Sequence, residues 1–221
     1  MSRIKIFTGH FGSGKTEIAI NYAIKLAKEG KKVALVDMDT VSPYFCIGDI
    51  KRKIEKDYMI KVISTSKDLI NAELMVLSAE ILSVFNDKSY QVVLDIGGDD
   101  VGARVLGVYN KYFEEEDYSM YYILNNSRLE TIDCSTASEY LKSIESASKL
   151  KVTDIISNAH MMKETESSHI LKGDIKSLEL SNFFNIHYKY TVCTRKFQEI
   201  VKDNVNGEIL PIDLYMDMPW E

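Results

Sequence analysis

Gly9-His10-Phe11-Gly12-Ser13-Gly14-Lys15-Thr16 follows the apolar run Ile4-Lys5-Ile6-Phe7-Thr8 and leads into a segment where Ile20, Ala23, Ile24 and Ala27 recur at helical spacing. The eight residues satisfy G-x-x-x-x-G-K-[ST], and they sit where that pattern has physical meaning, after a strand and at the opening of a helix. Glycines let the backbone curl so that successive N–H groups converge on phosphate oxygens, and the helix N-terminus adds positive partial charge. Gly9, Gly12, Ser13 and Gly14 form the cradle, Lys15 reaches the β- and γ-phosphates, and the Thr16 hydroxyl is a hard-oxygen ligand suited to Mg2+. The helix that starts here is expected to stop at Gly30, a C-cap glycine.

Beyond this unit, strand-like runs alternate with helical periods along the whole chain. Strands are expected at Ile4–Thr8, Lys32–Asp37, Tyr58–Ser64, Tyr90–Asp95, Met120–Asn125, Val152–Ser157 and His187–Val192. Helices are expected at Asn71–Phe85, Val101–Phe113, Thr131–Ser148, Thr165–Leu180 and Lys196–Asn206. That rhythm requires an α/β fold, a three-layer arrangement of a mostly parallel sheet with helices on both faces. No linker or repeat interrupts it, so one domain is expected over residues 1–221. The acidic run Glu114-Glu115-Glu116-Asp117 reads as a solvated surface loop, and Lys51-Arg52-Lys53 as a solvated loop or helix start.

Two further strands end in acids. Val92-Val93-Leu94-Asp95 runs into Ile96-Gly97-Gly98, the form of a Walker B strand and its switch: Asp95 is the candidate to hold magnesium, and Gly98, with Gly97 as rival, to offer an N–H to the γ-phosphate. A loop-capping role for Asp95 is the plainer alternative. Val33-Ala34-Leu35-Val36-Asp37-Met38-Asp39 places two acids on the same side of an extended chain. Asp39 is the candidate for orienting attacking water or the metal shell, against the alternative of a simple turn residue.

The composition bounds the partners. Lysine and arginine (27) are outnumbered by aspartate and glutamate (33), a net charge of −6 that disfavours nucleic acid and anionic lipid. Cys46, Cys134 and Cys193 are isolated, so a disulfide framework is not expected and a cytoplasmic, reduced setting is. The start runs directly into a strand pattern without a signal-peptide core, and no run reaches membrane-spanning length. The four histidines show no zinc-hydrolase pairing and are expected to be structural. Asn125, Asn126 and Arg128 follow the fifth strand at the sheet edge that carries ligands, which puts Arg128 at the site periphery. Tyr118, Tyr121 and Tyr122 are expected to pack against helices, and Met161 and Met162 to fill apolar space. Asn158 is followed by Ala159-His160-Met161 rather than the guanine-reading N-K-x-D, which favours ATP over GTP.

With the phosphate loop, Asp37-Met38-Asp39 and Asp95-Ile96-Gly97-Gly98 so spaced, the chain resembles the MinD/ParA/CobQ-like P-loop ATPases. A late strand ending at Asn158 and the stretch Phe197 to Pro211, containing Asn206-Gly207, resemble that family's last helix and following strand. The resemblance implies ATP with magnesium, a homodimer formed around the nucleotide, and hydrolysis used as a switch for a protein partner. It also implies that Asn158 meets adenine and that Asp39 is the catalytic acid. The sequence departs from the family where His10 stands for the signature lysine and Phe11 for a glycine. Neutral histidine supplies no fixed charge, which weighs against dimer-coupled hydrolysis and towards an ordinary Walker A loop. His10 is read either as part of that change or as an exposed loop residue without a role.

Within the family, a membrane switch is disfavoured because Glu208 to Glu221 carries no lysine or arginine. A low-turnover regulatory or maturation ATPase leads. A P-loop kinase, with residues 42–57 as its basic lid, and a non-hydrolysing nucleotide-binding adaptor are the rivals.

Overall fold

Val33 and Leu35 face one side of their strand, Ala34, Val36 and Met38 the other, and all five are buried, so this strand is covered on both faces. The same two-sided burial recurs across the sheet in the computed structural model, which describes residues 2–39, 47–64, 73–98, 100–128 and 134–216. The strands are β1 (Ile4–Thr8), β2 (Lys32–Met38), β3 (Lys61–Ile63), β4 (Tyr90–Ile96), β5 (Tyr118–Leu124), β6 (Asp154–Ser157), β7 (His187–Thr194) and β8 (Glu208–Ile212). They form one sheet in the order β3-β2-β4-β1-β5-β6-β7-β8, with every pairing parallel. The expected α/β three-layer architecture is therefore present.

One face of the sheet is covered by α1 (Lys15–Lys28) and α2 (Ile47–Tyr58), around Phe7, Tyr22, Tyr121 and Tyr190. The other carries α3 (Glu73–Asn86), α4 (Asp100–Arg104), α5 (Asn110–Glu115), α6 (Cys134–Ser148) and α7 (Ser167–Phe184). The short α8 (Arg195–Val201) packs on α7 through Ile170 and Val201. The last turn of α1 closes as a Schellman motif, with Gly30 at φ 78° donating to Ala27 O and Lys31 N donating to Leu26 O.

Several expectations need correction. Tyr58 is not the start of a strand: it ends α2, Met59 reverses the chain at φ 57°, and β3 holds only three residues. Ile47, Ile50, Ile54 and Tyr58 recur at helical spacing and face the core, so Lys51-Arg52-Lys53 lie in the middle of a helix rather than in a loop or at a helix start, with Arg52 and Lys53 exposed as expected. Residues 47–57 of the supposed kinase lid belong to that helix, and residues 42–46 fall outside the described set. The expected helix over Val101–Phe113 is split into α4, a 3-10 turn (Val105–Tyr109) and α5. Gly102 lies against Gly97, where a Cβ would stand 2.5 Å from Gly97 Cα, and this packing sets the direction of α4. The start expected for the Thr131–Ser148 helix falls on undescribed residues, and α6 is described from Cys134. Glu116 is not simply solvated. Its carboxylate takes the Arg3 guanidinium at two distances of 2.7 Å and also pairs with Lys88, and these partners hold it down at about 2 against the usual carboxylate range.

The helix expected to reach Asn206 ends at Val201, because the following turn is claimed by a buried acid. Asp174 of α7 is inaccessible to solvent and accepts from Thr191 Oγ1 (2.6 Å), Tyr188 Oη (2.7 Å), Asn206 Nδ2 (2.6 Å), Asn206 N (3.0 Å) and Gly207 N (3.3 Å). It ties α7, β7 and the turn into β8 together. Burial alone raises its pKa, but these donors outweigh burial and hold it below the ordinary value. The final strand implied by the family resemblance, β8, starts immediately after this turn.

Candidate functional site

The connection from β1 to α1 lies at the carboxyl end of a central strand, where the chain leaves β1 toward β2 on one side and returns to β5 on the other. Gly14 is the residue before α1, at φ 86°, and no side chain caps the helix, so its first N–H groups are left for another acceptor. Gly9 (φ 145°) and Gly12 (φ 75°) complete the curl, closed by Ser13 N donating to His10 O at 3.2 Å. A side chain at Gly14 is excluded twice over, by φ and by Asn158 Nδ2, which would stand 2.3 Å from its Cβ. Gly98 is pressed to the same loop: a Cβ there would lie 2.7 Å from Gly9 O and 2.9 Å from Phe11 N.

Lys15 is almost fully buried, and its Nζ rests 3.4 Å from His10 O. Beneath it, Asp95 ends β4 in register with Asp37 of β2. The two acids have different surroundings. Asp37 Oδ1 accepts from Asp39 N at 3.2 Å and its Oδ2 from Ile47 N at 3.1 Å, so Asp37 caps the start of α2. Both Asp95 oxygens are buried without a hydrogen bond of normal geometry. Burial pushes the Asp95 carboxyl up, the Asp37 charge adds to this, and the Lys15 ammonium and Thr16 hydroxyl that face it work in the opposite direction. The buried hydroxyls of Thr8 and Ser13 are also unpartnered. Clustered unsatisfied polar atoms at one end of a sheet are the mark of a site completed by something else. Asp39 lies close by, its Oδ1 3.2 Å from where a Cβ on Gly97 would stand.

An unpaired, buried carboxylate facing a threonine hydroxyl beside a phosphate-shaped loop fits magnesium, which takes few protein oxygens and keeps water and phosphate for the rest. Among the described residues no cluster of three or more histidine, cysteine, aspartate or glutamate side chains could hold a metal.

The rim is built by the neighbouring strands. Asn158 donates from Nδ2 to Ser13 O at 2.8 Å, bracing the loop from the end of β6. Asn125, at the end of β5, reaches Gly12 O (3.5 Å) and His160 O (3.3 Å) through Nδ2, and its Oδ1 accepts from His160 N (3.3 Å). His160, expected to be a scattered structural residue, sits beside this loop. Burial and then the Arg128 charge hold it down at about 4, partly offset by the Gly12 backbone. His10 is not an exposed loop residue: it is 1% accessible and meets Tyr140 edge-on, with ring centroids 6.2 Å apart. The exposed tip is Phe11, at 63%. Tyr121 meets Phe7 and Tyr22 with tilted rings in the core, as expected of aromatics packing against helices. Met161 and Met162 are partly exposed rather than filling apolar space.

The family model for the CobQ/CobB/MinD/ParA nucleotide binding domain matches residues 4–192. The chain belongs to this family. No curated protein matches it. Among solved structures it resembles the cell division protein FtsY of Thermotoga maritima at 21% identity and TM-score 0.54, covering 84% of this chain and 60% of that one. Chloroplast FtsY of Physcomitrella patens is similar at 16% identity and TM-score 0.58, over 84% and 57% of the two chains. The 54 kDa signal recognition particle protein of Aeropyrum pernix, in complex with GDP, is similar at 19% identity and TM-score 0.52, over 84% and 40%. This chain therefore spans about 60% or less of these proteins, and the likeness is one of fold. Family membership makes this a nucleotide-binding domain. Among the described residues no helix is long and apolar enough to cross a membrane.

Proposed function

We propose that this family member binds ATP with magnesium on Gly9–Thr16 and hydrolyses it slowly, as a cytoplasmic nucleotide switch or maturation factor for a protein partner. The observation that carries the reading is Asp95: a buried carboxylate with both oxygens unpaired, beneath an uncapped helix N-terminus and facing Lys15 and Thr16.

In this reading one nucleotide-binding domain spans residues 1–221. The backbone N–H groups of Gly12, Ser13 and Gly14 and the first turn of α1 cradle the phosphates. Lys15 leaves the His10 carbonyl for the β- and γ-phosphates, a shift from one long contact with a neutral acceptor to contacts with anionic oxygens. Thr16 and Asp95 hold magnesium, which when bound neutralises charge that develops on the phosphates. Gly98, pressed against Gly9 and Phe11, offers its N–H to the terminal phosphate and couples the β4 end to its presence. Asp39, beside Gly97, orients water. Asn158, whose Nδ2 is engaged by Ser13, keeps Oδ1 for the exocyclic amino group of adenine, in line with the absence of N-K-x-D.

The test is calorimetry with magnesium and ATP. Lys15→Ala is expected to lower affinity by about 100-fold or more while the fold is kept, since it removes charge-assisted phosphate contacts. Unchanged affinity overturns the reading. Single-turnover release of phosphate separates the ATPase from the adaptor, which a buried His10 in place of the signature lysine favours. Sedimentation with a non-hydrolysable analogue tests the homodimer.

A further inference from the structure

The exposed Arg128 guanidinium lies against Gly12 of the phosphate loop with no pairing partner among the described residues. Its Nε, Cζ and Nη2 atoms are 3.5, 3.6 and 3.6 Å from the point where a Cβ on Gly12 would stand. Near-equal distances to three atoms of a planar group mean that the plane lies flat on Gly12, which leaves its in-plane N–H donors pointing past the loop. The backbone holds it there, because Arg128 N donates to Asn125 O at 2.9 Å and the Asn125 side chain in turn reaches Gly12 O and His160 O.

The other described arginines mostly have acidic partners. Arg3 is paired with Glu116, Arg104 with Asp100 and Arg195 with Asp213. The Arg128 guanidinium has neither an ion pair nor a hydrogen bond among the described residues. A residue that merely held the loop would spend its donors on loop carbonyls. Here five donors are kept beside a loop whose own cation, Lys15, lies buried on the inner side. The neighbouring His160 ring adds no competing charge at neutral pH, since burial holds it down at about 4.

We infer that Arg128 is a phosphate-contacting residue, a second cation that closes on the bound phosphate chain from the side opposite Lys15. This rests on the nucleotide-binding reading above and extends it from the loop to the end of β5. A planar fork suits the task because it takes two phosphate oxygens at once, which a lysine cannot match. Gly12 has a matching role: with no side chain, it lets the guanidinium lie within van der Waals distance of the loop backbone.

The experiment compares wild type, Lys15→Ala, Arg128→Gln and Arg128→Lys in calorimetric titrations with magnesium and ATP, alongside thermal unfolding without nucleotide. Arg128→Gln keeps length and polarity but removes the charge, and is expected to weaken ATP affinity about 10- to 100-fold, the usual cost of a lost charged hydrogen bond. Arg128→Lys is expected to recover part of that loss. The melting temperature without nucleotide should match wild type in both variants, because no hydrogen bond or ion pair to another described residue is lost. Arg128→Gln within twofold of wild type overturns the inference while Lys15→Ala still tests the loop. A loss of affinity matched by a lower melting temperature also overturns it, since the arginine then only supports the loop. Wild type that binds no ATP removes the underlying reading and this one with it.

Discussion

Asp95 and Asp174 are both inaccessible carboxylates in the same molecule, and their surroundings are opposite. Asp174 accepts five hydrogen bonds from β7 and the 206–207 turn, and its pKa is pulled down. Asp95 accepts none and its pKa is pushed up. Burying a charge is costly unless donors replace the lost water, so Asp174 is a finished structural element and Asp95 an unfinished one. The contrast separates a residue that ties elements of the fold together from one left without donors, although burial is the same for both.

Three outcomes can break or sharpen this contrast. The largest concerns Asp174→Ala, which strands several buried donors at once and should destabilise the protein by about 3 kcal/mol or more in urea unfolding. Next comes Gly173→Ala. Its Cβ would stand 2.1 Å from the Ala159 Cβ, so α7 must shift away from the loop after β6, at a cost of about 1–3 kcal/mol. A measured cost near zero would show that the loop holding Asn158 adapts freely.

The smallest effect has the opposite sign. Asp95→Asn removes a buried carboxyl whose ionisation the fold disfavours and should leave the nucleotide-free protein as stable as wild type, or about 1 kcal/mol more stable, while abolishing the gain from magnesium and ATP. The pH dependence follows the two shifts. Asp174 has a lowered folded pKa, so its contribution is complete above the ordinary carboxylate range and is lost as pH falls through the lower folded value. Asp95 has a raised folded pKa, so its contribution is complete below the ordinary range and is lost as pH rises through the folded value. Asp95→Asn should therefore flatten the decline of nucleotide-free stability on the rising-pH side and leave the acid side unchanged. If Asp95→Asn unfolds the protein as readily as Asp174→Ala, the two acids are alike and the distinction fails.

The phosphate loop, β1 and α1 were legible because their signals are local: fixed glycine offsets, an adjoining apolar strand, and a glycine at the helix C-terminus. The acids at the ends of β2 and β4 were legible for the same reason. Helix α2 was not, because Tyr58 and the apolar residues after it read as one strand and drew attention from the Ile47, Ile50, Ile54 spacing. The direction of α4 depends on Gly97 meeting Gly102 five residues later, a backbone-to-backbone contact that hydrophobic periodicity does not encode. The ends of α8 and the place of Glu116 were decided by distant partners, Asp174 for the first and Arg3 for the second.

By itself the sequence determined the parallel α/β scaffold and the presence of a phosphate loop, since periodicity and glycine spacing act over a few residues. Only the tertiary structure decided that Asp95 goes without partners while Asp37 becomes a helix cap. It also placed His160 and Arg128 beside Gly12. The first outcome depends on β2 pairing with β4; the second depends on β5 lying next to β1 and β6 next to β5, which brings Gly12 to residues more than a hundred positions away in the chain.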